Sequence, residues 1–138
     1  MAERHGDRPD GSVRVELSDG STLEVDLVVR AWPEHHLIEQ WVEVTNRASG
    51  PVTVHRLLAS APAFAGSGPH LTHWGGGWAG EWSETTEALT SGTKTVASAG
   101  GVRSSLYRPP VVLFAPDGPA AEEDGTVGAC TVVWGGDV

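Results

Sequence analysis

The chain has 138 residues and a mass of 14.5 kDa, enough for one domain with a core of its own and short of two ordinary ones. A formal net charge of −9 with nine Lys plus Arg excludes a nucleic-acid surface, which needs clustered cations to neutralise phosphates, and disfavours anionic membranes. Eighteen Gly and nine Pro point to short strands and tight turns rather than a helical bundle.

Residues 1–11 are polar, charged and aperiodic, and are expected to form a disordered lead, with a β-domain over residues 12–138. Val13, Val15 and Leu17 alternate with Arg14 and Glu16; Asp19-Gly20 then supplies a turn, and Leu23, Val25, Leu27 and Val29 alternate with Glu24, Asp26 and Arg30. That pattern predicts a hairpin. Trp32-Pro33-Glu34 ends its second strand, because Pro cannot continue a central ladder. A third strand is expected over 37–45, with Ile38, Val42 and Val44 on one face and Glu39, Trp41 and Glu43 on the other. The turn 46–51 leads to a fourth strand over 52–60 and a loop over 62–69.

The segment from His70 to Trp82 carries three of the six Trp, Trp74, Trp78 and Trp82, jointed by Gly75, Gly76 and Gly77. Glycines at that density break the helix that a four-residue spacing would otherwise suggest. A bent strand or loop is expected instead, with large rings projecting from it. Beyond it the pattern gives an irregular passage over 84–90, strands over 93–98 and 111–114, a polar loop over 115–125 and a closing strand over 126–134. The fold class predicted is all-β, a sandwich of mainly antiparallel strands.

Few residues stand in patterns that carry chemistry. Cys130 is the single cysteine, flanked by Ala129, Thr131 and Val132, and reads as a strand residue rather than a reactive thiol. His70 and His73 form H-x-x-H, far weaker than a full zinc motif, so no metal is expected; Gly75 to Gly77 lack the Lys-Ser/Thr of a phosphate loop, so no cofactor is expected either. The run Glu122, Glu123 and Asp124 reads as a solvated loop, and Glu84 with Glu87 as a solvated edge. Glu81 differs in being set among Trp and Gly, where structural pairing is the first reading and general acid or base work the second. Indole rings stack on the apolar faces of sugars, which makes Trp41, Trp74, Trp78 and Trp82, with Glu81, the candidate sugar-binding or inter-domain contacts. The lead has no apolar signal core, and no run approaches the roughly 20 apolar residues that a spanning helix needs. A cytoplasmic location is expected.

Several separated motifs resemble the N-terminal β-supersandwich domain of glycoside hydrolase family 36, the α-galactosidases. The third strand ends as the family pattern does, over Val42 to Asn46, and Gly76, Trp78 and Glu81 match its Gly-x-Trp-x-x-Glu. Gly92, Ser98, Gly101, Ser104 and Pro109 match in part a downstream Gly, Ser and Gly-x-Ser-Ser-His segment, and the closing Ser-Gly-Asn stands here as Gly135-Gly136-Asp137. Ser105 stands where the family has its His, and Gln40 replaces an Arg common in the third strand, the mark of a divergent member. The resemblance implies that the catalytic aspartates lie on a C-terminal barrel, for which 138 residues leave no room, and that the chain is a middle portion of the non-catalytic domain. Its expected role is structure and assembly beside that barrel, or self-association into a homo-oligomer through open sheet edges. The alternative is a separate carbohydrate-binding module that stacks an α-galactoside on exposed Trp. No nucleic acid or membrane is expected among the partners.

Overall fold

The computed structural model describes residues 2–7, 10–18, 20, 22–58, 60–100 and 107–133. Asp19 of the expected first turn, Gly101, Ser104 and Ser105 of the serine motif, and Trp134 and Gly135 to Asp137 of the closing motif lie outside them. The chain divides into two compact units, Met1–Pro62 and Ala63–Val138. The all-β class holds: among the described residues eight strands form two four-stranded sheets in which every strand pair is antiparallel.

In the first unit the strand order is β1-β2-β3-β4, with β1 at Ala2–Asp7, β2 at Val13–Ser18, β3 at Leu23–Trp32 and β4 at Leu37–Asn46. β3 and β4 pair over ten residues each, from Leu23↔Asn46 to Trp32↔Leu37. The register puts Val13, Val15, Leu17, Val25, Leu27, Val29, Val42 and Val44 on one face, and Arg14, Glu16, Asp26, Val28, Arg30, Glu39, Trp41 and Glu43 on the other. Pro33 stops β3 as expected: residues Pro33–His35 make one 3-10 turn, closed by the His36 N–H donating to Pro33 O at 3.2 Å with His36 at φ 51°.

The polar face holds the most buried side chains of this unit, Val28, Asp26 and Ser12. Asp26 pairs with Arg14, and that hydrogen bond first, followed by the charges of Asp26, Glu43 and Glu16, raises the Arg14 pKa against the opposing effect of burial. Arg30 pairs with Asp10 and lies 3.8 Å from Glu39, so charges of both signs interleave across β2, β3 and β4. Beyond the aliphatic face, Leu57, Leu58, Ser60 and Ala61 meet Leu17, Val25, Leu27, Gln40 and Val42 around an open cavity of about 290 Å³.

In the second unit the order is β6-β5-β7-β8, with β5 at His70–Gly75, β6 at Ser83–Ala88, β7 at Val111–Ala115 and β8 at Gly128–Thr131. Phe64 stacks on Phe114 with centroids 4.7 Å apart and lies over β8 where Gly128 leaves room, since a Cβ there would come within 3.1 Å of the Phe64 ring.

Three expectations are corrected. Residues expected as a disordered lead include β1, paired with β2 from Ala2↔Ser18 to Asp7↔Val13; its sequence, Ala-Glu-Arg-His-Gly-Asp, carries no aliphatic alternation and is a strand through that pairing. The fourth strand expected over 52–60 does not form among the described residues, although Val52 and Val54 alternate with polar neighbours, because that segment finds no partner strand. The strand expected over 93–98 is likewise absent, and β6 stands instead at Ser83–Ala88, in the passage read as irregular. Its sequence, Ser-Glu-Thr-Thr-Glu-Ala, lacks aliphatic alternation and is held by pairing with β5.

Candidate functional site

β5 and β6 are a hairpin whose connection, residues 76–82, carries Trp78, Glu81 and Trp82. The turn is locked by its backbone. Gly76 sits at φ 155°, and a Cβ there would lie 2.8 Å from Glu81 Cα and closer still to the Gly80 carbonyl. The Gly80 N–H donates to Gly77 O at 3.0 Å, and the Ser83 hydroxyl to Gly80 O at 3.2 Å. Ala79 and Trp82 adopt left-handed φ of 59° and 61°, uncommon for residues with a side chain and costly for a bulky one.

The rings part company on this turn. Trp74, half-buried at the end of β5, packs against Trp82 with centroids 6.0 Å apart and planes tilted by 55°. That is a tilted pair rather than a flat platform. Trp78, by contrast, is 97% exposed at the tip. Glu81 is exposed and makes no hydrogen bond or ion pair among the described residues, so neither burial nor a charged partner prepares it for acid–base work. Trp41 belongs to the other unit, on the polar face of β4, and is engaged twice: its Nε1–H donates to Glu43 at 3.0 Å, and the Arg30 guanidinium lies 5.7 Å from its ring. The same guanidinium is 5.4 Å from Trp32, so Arg30 bridges two indoles. The five residues singled out from the sequence thus fall into one cluster on the 76–82 turn with Trp74, and one separate ring, Trp41.

Beneath the turn lies an array that sequence reasoning missed. His73, 6% exposed on β5, places Nε2 3.1 Å from Glu87 on β6 and Nδ1 3.2 Å from Arg108. A guanidinium only donates, so Nδ1 accepts, and the ring proton sits on Nε2 and is given to Glu87. Lys94 approaches the same Glu87 oxygen at 2.6 Å. The Glu87 carboxyl is held below its usual range, first by the Lys94 hydrogen bond and then by that of His73, against the opposing effect of burial. Gly75 leaves space for Arg108, whose guanidinium would stand 3.1 Å from a Cβ at that position. The sequence offered H-x-x-H and the Glu84 and Glu87 pair read as a solvated edge; Glu87 instead bonds His73 and Lys94, and the strand resolves the histidines: three residues apart, they point to opposite faces, His70 to Gly68 O at 2.8 Å and His73 into the array. Among the described residues no group of three or more His, Cys, Asp or Glu is arranged to hold a metal ion.

Known proteins give this geometry its setting. Residues 2–138 match the family model described as the glycosyl hydrolase family 36 N-terminal domain. The chain is also similar to the probable alpha-galactosidase C of Aspergillus terreus (strain NIH 2624 / FGSC A1156), 24% identical over 116 residues. The match takes in 84% of this chain and 15% of that protein, so the chain spans a small part of its curated relative. No solved structure matches. The motifs around Val42 to Asn46 and Gly76 to Glu81 therefore fall inside a match that runs through almost the whole sequence, and the chain belongs to the glycosyl hydrolase family 36 N-terminal domain family.

Proposed function

We propose that the chain is a non-catalytic structural module of an α-galactosidase-like glycoside hydrolase, packing beside a catalytic domain that these 138 residues do not include. The observation that carries this reading is the 76–82 turn: Trp78 is presented 97% exposed by a backbone that Gly76 and the Gly77–Gly80 hydrogen bond hold in one shape. A large apolar ring set in water on a constrained backbone is the composition of a contact anchor, since covering it removes apolar area from water. Glycoside hydrolysis needs two carboxyls flanking one bond, one of them kept protonated. Glu81 stands on an exposed turn rather than in a cleft.

The exposed Trp78 ring also favours a second reading, a carbohydrate-binding module that stacks an α-galactoside. The tilt between Trp74 and Trp82 weighs against it, because two coplanar open rings would make the stronger platform. Hydrolysis of 4-nitrophenyl α-galactoside by the purified chain tests the structural reading, with no turnover expected. Turnover that disappears in Glu81→Gln would replace it with an enzyme.

A further inference from the structure

The array beneath the tryptophan turn sets one carboxylate against two fixed cations and an imidazole. Glu87 accepts from Lys94 at 2.6 Å and from His73 Nε2–H at 3.1 Å, both through the same oxygen. Arg108 is placed differently. Among the described residues no carboxylate pairs with it, and its guanidinium donates at 3.2 Å to the Nδ1 of a neutral ring. The bond holds the guanidinium over Gly75, where a Cβ would stand 3.1 Å from Nη1 and 3.4 Å from Cζ. Gly75 ends β5, and the turn 76–82 departs from it, so Arg108 packs at the base of the turn that carries Trp78.

Imidazole is the side chain whose charge ordinarily changes between pH 5 and 8. Protonation would turn Nδ1 from acceptor into donor. The Arg108 bond is then lost, and two donors, each on a cation, face one another across 3.2 Å. His73 is 6% exposed, so solvent screens that repulsion little. On the other side of the ring nothing is lost: Nε2 keeps its proton and its Glu87 acceptor, and the bond becomes charge-assisted. The ring is thus anchored to β6 in either state, and Lys94 keeps its carboxylate. The Arg108 guanidinium, left without an acceptor, is the group that moves.

The neighbours across the sheet add no charge to this balance. Thr85 of β6 and Val112 of β7 stand beside His73, with Cys130 one strand further on β8, and Glu84, opposite Trp74, is on the other face. Glu81 of the turn is exposed and pairs with neither Arg108 nor His73.

We propose that His73 is a proton-operated latch: the neutral ring holds Arg108 on Gly75, and protonation releases the guanidinium and frees the base of the Trp78 turn from residues 107–110. The latch would regulate the turn on which the structural reading rests. Its own test needs no docking partner, so either can fail without the other.

Heteronuclear NMR of the full 138-residue chain between pH 8 and pH 5 tests it. Glu87, whose carboxyl is held below its ordinary 4.5, stays ionised throughout that window. At pH 8 the His73 ring is expected to carry its proton on Nε2 with Nδ1 bare, and on acidification to take a second proton at Nδ1. The backbone amides of residues 75–80 and the Arg108 guanidinium signals are expected to shift with the same midpoint as the ring, the guanidinium moving to the position of a free arginine. Arg108→Leu removes the group that is expelled, so in that variant the ring is expected still to titrate while the turn amides lose at least half of their shift. Urea unfolding supplies a second readout: the difference in midpoint between wild type and Arg108→Leu, present at pH 7.5, is expected to fall by at least half at pH 5. A ring bare at Nε2 rather than Nδ1, or one that stays neutral down to pH 5, overturns the proposal. So do turn amides that fail to follow the ring or keep their full shift in Arg108→Leu, and a urea difference that is the same at both pH values.

Discussion

Replacing Arg108 by Leu isolates the array under the tryptophan turn. His73 is 6% exposed, and its Nδ1 takes its hydrogen bond from Arg108 at 3.2 Å. Removing the guanidinium leaves a buried acceptor without a donor, and hydrogen bonds to a charged group are worth about 1.5–3 kcal/mol. Leu retains much of the apolar stem of Arg, so packing loss contributes little of this. Arg108→Leu is therefore expected to destabilise the chain by about 2 kcal/mol in urea unfolding followed by far-UV circular dichroism at pH 7. A double-mutant cycle separates the bond from the bulk. In His73→Phe the acceptor is gone, so Arg108→Leu in that background should cost at least about 1 kcal/mol less than in the wild type. A single-mutant effect within about 0.5 kcal/mol, the range of an ordinary surface change, or a cycle that is additive, would refute the arrangement of the array.

Four further outcomes follow from the geometry. Gly76→Ala drives a Cβ into Gly80 and Glu81 and should cost about 2 kcal/mol or more in the same urea assay, with an unchanged midpoint refuting the turn. Trp78→Ala, at a ring 97% exposed, should stay within about 0.5 kcal/mol of wild type, whereas Trp74→Ala loses the packing on Trp82 and should cost more than 1 kcal/mol; equal costs would contradict the placement of the rings. The Glu87 pKa is lowered below its ordinary 4.5, so its contribution is full above that value and lost as pH falls through the folded-state pKa. Glu87→Gln should flatten that limb of the stability profile, and an unchanged acid limb would contradict the bonds to Lys94 and His73. Asp10 is held down to about 2, against an ordinary 3.8, by the Ser12 hydroxyl and N–H and then by Arg30; its contribution is lost as pH falls between those values, and Asp10→Asn should remove that loss from an acid titration.

Much of the first sheet was legible because its code is local. Val13 to Leu17 alternates cleanly, Leu23 to Val29 does so up to Val28, and Val42 to Thr45 keeps the pattern in β4; the structure gives β2, β3 and β4 with Pro33 ending β3 where the missing N–H requires it. β6 was not legible, because Ser83 to Ala88 has no aliphatic period and is a strand only through its partner β5. Val52 and Val54 carried the opposite error, a strand-like pattern with no pairing partner. At the candidate site, the Gly and Trp spacing disclosed a glycine-built turn, while exposure separated Trp78 from Trp74 and Trp82. The His73, Glu87, Lys94 and Arg108 array was hidden because its members span 36 positions of sequence and meet only through β5–β6 pairing and the return of the chain at Arg108.

The structural reading meets its most direct test in a titration of intrinsic Trp fluorescence with melibiose and raffinose on the purified chain. Both competing readings, sugar-binding module and enzyme, require the chain to bind a galactoside, and either would engage the turn that carries Trp78, Glu81 and Trp82. The account predicts no saturable change in intensity or emission maximum up to tens of millimolar sugar. A saturable change that Trp78→Ala abolishes would contradict it and make the turn a galactoside site.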